Sequence, residues 1–206
     1  MQINLDNVHV CVINLKERTE RLKRTMEELK EFFRCNRYQQ IHVIDAIKHR
    51  RPMIGIAESH MLAVALAKQC NWPYVIIVED DVRFQSKRSK EHADNCLANV
   101  PDDFEVLLGG IYTGKLLKTP NEYWSEVHEF SALHFYLVKA SAYDKILSFD
   151  KSQHIDRWIG NKQKGNLKCY VANEFFAIQY DGYSDNVGMD MKYSDLLIQN
   201  KYKLLK

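Results

Sequence analysis

The feature that most constrains this chain is a run of four β-branched residues that ends in three carboxylates. Val75 to Val78 (VIIV) is typical of a strand buried on both faces of a sheet, and Glu79, Asp80 and Asp81 follow it directly. Adjacent negative charges repel one another unless water or a cation offsets them. Hard divalent cations such as Mg2+ and Mn2+ prefer oxygen ligands, and open α/β sheets bind ligands beyond the carboxyl ends of their strands. The run therefore predicts either a metal site that takes a phosphorylated ligand or a solvated acidic turn.

Strand and helix patterns alternate through the first 110 residues. Strands are predicted over 8–15, 41–47, 74–78 and 105–108, and helices over 17–33, 56–70 and 87–97. Further along, the patterns predict a long loop or small hairpin over 111–130, a strand over 133–138, helices over 140–149 and 155–162, a broken strand over 170–178 and a polar loop over 180–190. The alternation is typical of βαβ units and predicts an α/β fold with a mostly parallel sheet flanked by helices.

Length and charge limit the other function classes. The 206 residues, with a formal charge of +2 and dispersed basic residues, predict one domain over 1–206 and no nucleic-acid partner. The sequence contains no run of 18 apolar residues, so no membrane span is predicted. The first residues also lack the pattern of a signal peptide. The five cysteines are dispersed and contain no C-x-x-C pair, which argues against a zinc site or a disulfide framework. These observations together predict a cytoplasmic protein, with a luminal location reached through a partner or a missing leader as the alternative.

A glycine-rich segment, 109–116 (GGIYTGKL), matches the first seven positions of a phosphate-binding P-loop. That match would indicate a nucleotide phosphohydrolase. However, Leu116 stands where the loop needs a hydroxyl to hold Mg2+, and Pro120 follows too soon for the helix whose amino end should face the phosphate. The acidic strand also precedes this segment, whereas it usually follows a P-loop. We therefore rank this interpretation below the acidic-turn site.

Several short segments occur in a characteristic order along the chain. They are the residues 12–15 (VINL) with Arg18 and Arg21, Asp45-Ala46, Ser59-His60, residues 77–82 (IVEDDV), residues 134–138 (HFYLV) with Ala142, residues 155–158 (IDRW) and residues 183–185 (YSD). This ordered set resembles glycosyltransferase family 25, which includes bacterial lipooligosaccharide galactosyltransferases and collagen hydroxylysine galactosyltransferases. The resemblance extends from about Val10 to Asp185.

The resemblance implies a GT-A fold, which is a Rossmann-like α/β sandwich, and a UDP-sugar donor whose hexose is galactose or glucose. It also implies Mn2+ or Mg2+ as the cofactor and a glycan or glycoprotein as the acceptor. Residues 1–110 would form the nucleotide-sugar half, and residues 111–206 would form the acceptor half with a C-terminal tail. The same set leaves open a catalytically silent module that binds a nucleotide sugar or a partner protein.

The resemblance also implies roles for individual residues. Asp81 would bind the cation directly, Glu79 and Asp80 would contribute through the ribose, water or the metal, and Asp185 would complete the metal shell or act as a turn residue. Asp156 would be the general base of an inverting transfer or, alternatively, a helix cap. The residues expected to bind the donor are Asn14, Leu15, Arg18, Arg21, Asp45, Ser59, His60, Glu79 and Asp80.

Overall fold

The computed structural model describes residues 3, 8–33, 40–85, 89–184 and 186–194. The helices are α1 (Thr19–Phe33), α2 (Pro52–Gln69), α3 (Ser89–Ala98), α4 (Tyr143–Leu147) and α5 (Ile155–Ile159), with a 3-10 turn at Ala140–Ala142. The strands are β1 (His9–Asn14), β2 (Ile41–Asp45), β3 (Tyr74–Glu79), β4 (Val82–Phe84), β5 (Val106–Leu108), β6 (Thr113–Leu117), β7 (Trp124–Ser131), β8 (Phe135–Lys139), β9 (Cys169–Ala172), β10 (Ala177–Gln179), β11 (Gly182–Ser184) and β12 (Met189–Met191).

The core of the fold is a sheet of eight described strands in the order β2-β1-β3-β8-β5-β9-β7-β6. The pairs β1–β2, β1–β3 and β5–β9 are parallel, whereas β8 runs against both β3 and β5, and β7 runs against both β9 and β6. Six of the eight strands therefore share one direction, and only β7 and β8 oppose it. This architecture confirms the predicted mostly parallel sheet.

Helices cover both faces of this sheet, which explains why its central strands are apolar without interruption. Cys11 and Ile77 face the layer that contains α2, α4 and α5, while Val12 and Val78 face the layer of α1 and α3. Side chains alternate between the faces of a strand, so both faces need apolar residues when both are covered. Within the described residues, no helix has the length and apolarity needed to cross a membrane.

Two of the differences from the sequence prediction concern segments around the sheet edge where β1, β2 and β3 end. Helix α2 begins at Pro52 rather than at residue 56, because proline is well suited to the first turn of a helix, where its missing N–H costs nothing. The segment 180–190, predicted to be a polar loop, contains an antiparallel pair formed by β11 and β12. Its glycines and polar residues indicated a turn but not the short strands that flank it.

The glycine-rich segment 109–116 is not a phosphate-binding loop. Its last four residues belong to β6, which pairs with β7 as one arm of a hairpin, so the region 111–130 is the small hairpin allowed by the sequence. No helix follows β6 before β7 begins. Lys115 instead forms an exposed ion pair with Glu129, at 2.6 Å between Nζ and Oε2.

Candidate active site

A cleft of about 560 Å3 lies where the parallel strands β1, β2 and β3 end. Its walls come from the segments after these strands, from the start of α2, from the turn between β7 and β8, and from the β11–β12 hairpin. Nine of the twelve residues predicted from the sequence line it: Leu15, Arg18, Arg21, Ser59, His60, Glu79, Asp80, Asp81 and Asp156.

The three consecutive carboxylates form the floor of this cleft. Glu79 is the last residue of β3, and Asp80 and Asp81 make the turn into β4. The side-chain amide of Gln179, at the end of β10, connects two of them: its Nε2 donates to Glu79 Oε2 at 3.1 Å and to Asp81 Oδ1 at 3.0 Å. Sequence reasoning missed Gln179, because its position depends on the pairing of β10 with β4.

Burial and mutual repulsion affect the ionisation of these carboxylates. Burial raises the pKa of Asp81 to about 7, and the nearby charge of Glu79 acts in the same direction. Burial also raises the pKa of Asp80, although the charges of Arg21 and Arg18 oppose that rise. For Glu79 burial again acts upward, but hydrogen bonding and charge from His60 outweigh it, so its pKa lies below the usual value. Desolvated carboxylates of this kind are suited to binding a cation.

His60 lies in the third turn of α2 and contacts the side chain of Glu79. Its Nε2 lies 3.2 Å from Glu79 Oε1, and its Nδ1 lies 2.9 Å from the hydroxyl of Tyr136 on β8. Only 1 % of His60 is exposed, so this hydrogen-bonded chain is shielded from solvent. The contact makes His60 a residue that orients the acidic turn, in addition to its place in the cleft wall.

Arg21, in the first turn of α1, connects the acidic turn to the β11–β12 hairpin. Its Nη1 lies 3.4 Å from Asp80 Oδ1 and 3.9 Å from Asp81 Oδ2, and its Nη2 donates to the carbonyl oxygen of Tyr183 at 2.6 Å. Thr25, one turn further along α1, donates to the carbonyl oxygen of Asp80 at 2.8 Å. Helix α1 therefore fixes both the side chain and the backbone of Asp80.

Asp156 also lines the cleft, at the second position of α5. Its Oδ2 accepts the backbone N–H of Ala132 at 3.0 Å, and its Oδ1 accepts that of Arg157 at 2.7 Å. Ala132 has a φ of 91°, a conformation that is uncommon for a residue with a side chain. The residue that caps α5 is His154, so Asp156 is not the N-cap that the sequence offered as an alternative.

Two predicted residues, Asn14 and Asp45, do not line the cleft, and a third lies outside the described residues. Asn14 is buried at the end of β1, where its Nδ2 donates to the carbonyl oxygen of Leu15, and Asp45 forms an exposed ion pair with Lys16. Asp185 lies outside the described residues. Ser59, which does line the cleft, lies inside α2.

The hydroxyl of Ser59 connects α2 to the end of β2. It accepts the backbone N–H of Ile47 at 2.8 Å and donates to the carbonyl oxygen of Gly55 at 2.7 Å. Gly55 is required at this contact, because a Cβ there would lie 2.3 Å from the carbonyl oxygen of Ile47. This close approach holds the start of α2 against the cleft.

The donor set of the acidic turn fits a hard divalent cation in part. Oxygens of Glu79 and Asp81 converge on a single atom of Gln179, and carboxylate oxygen is the ligand type that Mn2+ and Mg2+ prefer. Among the described residues, no group of three or more His, Cys, Asp or Glu side chains is arranged to hold a metal ion. The described residues therefore offer two convergent carboxylates but no complete metal site.

The fold is the α/β fold found in GT-A glycosyltransferases and in sugar nucleotidyltransferases. Among solved structures, the chain resembles a glycosyltransferase involved in glycosylation of the major capsid of PBCV-1, with a TM-score of 0.54, 7 % identity and 80 % of each chain covered. It also resembles a UDP-glucose pyrophosphorylase complexed with UDP-glucose, with a TM-score of 0.52, 9 % identity, and coverage of 97 % of this chain and 82 % of that one.

A third similar structure is the inositol-1-phosphate CTP transferase from T. maritima, with a TM-score of 0.50, 11 % identity and 98 % of each chain covered. No protein-family model matches the chain, and no curated protein matches it in sequence. At these low identities the similarity establishes the fold, and the function has to be argued from the site.

Proposed function

We propose that this protein is a metal-dependent glycosyltransferase that moves a hexose, galactose or glucose, from a UDP-sugar to an acceptor hydroxyl with inversion. The observation that carries the proposal is one cleft lined by the three carboxylates of residues 79–81, by Arg18 and Arg21, and by Asp156. Such a cleft combines cation ligands, cationic groups for a diphosphate and a separate carboxylate for proton transfer. This combination, with the ordered segments that resemble glycosyltransferase family 25, supports membership of that family or a related one.

The donor half of the site follows from charge. Arg18 and Arg21 offer planar guanidinium groups, which are well suited to phosphate oxygens, and they lie beside the acidic turn. Asp81 and Glu79 would hold Mn2+ or Mg2+, with Asp185 as the proposed additional ligand. A bound divalent cation neutralises the negative charge that develops on the departing diphosphate. His60 holds Glu79 of the acidic turn in position. Ser59 holds the start of α2 against the cleft.

Asp156 is the proposed general base. The acceptor hydroxyl would give its proton to the Asp156 carboxylate while its oxygen forms a bond to the anomeric carbon of the hexose. The bond between that carbon and the diphosphate oxygen breaks as UDP leaves with the electron pair. Attack from the face opposite the leaving group inverts the anomeric configuration. Hydrogen bonds from Ala132 and Arg157 hold the carboxylate at the cleft wall.

Nucleotidyl transfer is the second candidate function, and the nearly complete overlap with an inositol-1-phosphate CTP transferase favours it. Close approach of the backbone to a triphosphate generally requires glycine, as in the loops that precede phosphate-binding helices. The segment between β1 and α1 contains no glycine, and the first glycine of the chain is Gly55. For this reason we favour a donor that already carries a diphosphate. A silent nucleotide-sugar-binding module is the remaining alternative.

Release of UDP from a panel of UDP-sugars tests the proposal, first with Mn2+ and then with EDTA. The variant is Asp81→Ala, and the control is Asp94→Ala, which removes a carboxylate from α3 outside the cleft. We expect Mn2+-dependent release from one donor that is lost only in Asp81→Ala. Parallel assays with CTP, UTP and sugar phosphates would detect nucleotidyl transfer through pyrophosphate release. Binding of UDP without turnover would favour the silent module, and no UDP binding would contradict both nucleotide-sugar proposals.

A further inference from the structure

Gln179 is a buried polar side chain at the acidic turn that the proposed chemistry does not yet use. Only 8 % of the residue is exposed, and its amide nitrogen lies between Glu79 Oε2 and Asp81 Oδ1, at 3.1 and 3.0 Å. A single NH2 group has two hydrogens and can donate to both oxygens at once. The two carboxylates that flank Asp80 in sequence are therefore directed at one point in space, and Gln179 occupies it.

The backbone on both sides of Gln179 fixes this arrangement. Strand β10 pairs with β4, which places Gln179 opposite Val82 and therefore next to the acidic turn. The backbone N–H of Gln179 donates to the hydroxyl of Tyr112 at 3.2 Å, and the N–H of Tyr180 donates to the carbonyl oxygen of Asp81 at 2.8 Å. Because the main chain is held on either side, the amide remains at the carboxylates when its last side-chain torsion rotates.

Rotation about that torsion exchanges the oxygen and nitrogen of an amide, which have nearly the same size and shape. Nε2 is the amide atom that is directed at Glu79 and Asp81. Turning the amide by half a revolution directs Oε1 at the same point and presents an acceptor there instead of a donor. Amide oxygens bind hard divalent cations together with carboxylates.

We infer that Gln179 is a ligand of the divalent cation, supplying a neutral oxygen beside the carboxylates of Glu79 and Asp81. The inference rests on the cation dependence in the proposed function. The amide oxygen would be a third ligand beside the two carboxylates that meet at this point. The same amide donates to the carboxylates without the cation and coordinates the cation when it binds.

The test measures Mn2+ binding by the full chain without any donor, from the loss of the electron paramagnetic resonance signal of free Mn2+. Gln179→Leu removes the oxygen, and Gln179→Glu retains an oxygen and adds a charge. The control is Gln163→Leu, the same change in an exposed turn outside the cleft. We expect the Kd for Mn2+ to rise about tenfold or more in Gln179→Leu, to stay equal or fall in Gln179→Glu, and to be unchanged in the control.

Each alternative result overturns the inference. A Kd for Mn2+ in Gln179→Leu within twofold of the native value would show that the amide donates hydrogen bonds to the carboxylates but does not bind the cation. Weaker binding in Gln179→Glu than in the native chain would have the same meaning, and this isosteric variant decides the question if Gln179→Leu does not fold. No Mn2+ binding by the native chain would also overturn it. UDP release, with Mn2+ and with EDTA, and UDP binding are measured in separate assays. Failure of the glycosyltransferase proposal is therefore distinguished from failure of this inference.

Discussion

Substitutions at Asp156 separate a catalytic role from a structural one. Asp156→Asn removes the charge and the basicity but retains an oxygen that can accept the N–H of Ala132, whereas Asp156→Ala removes both acceptors. A positioned general base contributes about 10^2 to 10^4 to the rate. If Asp156 is the base, both variants lose sugar transfer by a factor in this range, and the loss does not follow their stabilities.

The stability cost is worked from the two hydrogen bonds. Each backbone N–H that loses its carboxylate partner at this partly exposed position costs about 1 kcal/mol, so we expect about 2 kcal/mol for Asp156→Ala and about 1 kcal/mol for Asp156→Asn. For a chain of this size 1 kcal/mol corresponds to about 2–4 °C in Tm. The expected decreases are therefore about 4–8 °C for Asp156→Ala and about 2–4 °C for Asp156→Asn.

The assay combines thermal unfolding with initial rates of hexose transfer at saturating donor, and a separate titration gives the affinity for UDP. The matched control is Asp150→Asn, an exposed carboxylate that accepts the N–H of Ser152 at 3.0 Å in a turn outside the cleft. It should keep the native rate and nearly the native stability, because the asparagine oxygen can still accept that N–H. If Asp156→Asn retains more than about a tenth of the native transfer rate, the side chain is an acceptor for backbone N–H groups and not the base.

Three further predictions concern other parts of the site. Ser59→Ala leaves the partly buried N–H of Ile47 without its acceptor, so we expect the free energy of unfolding in chemical denaturation to fall by about 1 kcal/mol, against little change for the exposed Ser148→Ala. Arg21→Gln should weaken UDP binding about tenfold in calorimetric titration, because it removes a cation from the cleft; unchanged affinity would exclude a phosphate contact. Lys115→Ala should retain UDP release in the donor panel, since Lys115 belongs to a hairpin and not to a phosphate loop; loss of activity would revive the phosphohydrolase interpretation.

Local sequence patterns predicted the first half of the fold well. The strand over Val75–Val78 and the helix over 17–33 have strong periodicity, and both occur at nearly the predicted positions. The antiparallel insertion of β8 between β3 and β5 was not predictable in this way, because strand order is a property of long-range packing. The short strands β11 and β12 were missed because three residues contain too little periodicity to distinguish them from a turn.

The same contrast applies to the candidate site. The carboxylates of residues 79–81 could be found because they follow a buried strand at the edge where ligands bind. Gln179 could not, because nothing in its own neighbourhood marks it, and its relevance comes from the pairing of β10 with β4. Tyr136 lies within a buried strand and reads as an ordinary core residue, yet its hydroxyl supports His60. Residues that act through a contact with another segment leave little signal in a single sequence.

The pairing of β4 with β10 also determines when the site can form during folding. Asp81 and Gln179 are 98 residues apart in the chain, so their contact closes a long loop and contributes to a high contact order. During synthesis the acidic turn emerges well before the strand that delivers the amide, and until then its negative charges lack that hydrogen-bonding partner. We therefore expect the proposed cation site to reach its native geometry late, so recovery of Mn2+ binding during refolding would report completion of the fold rather than its first step.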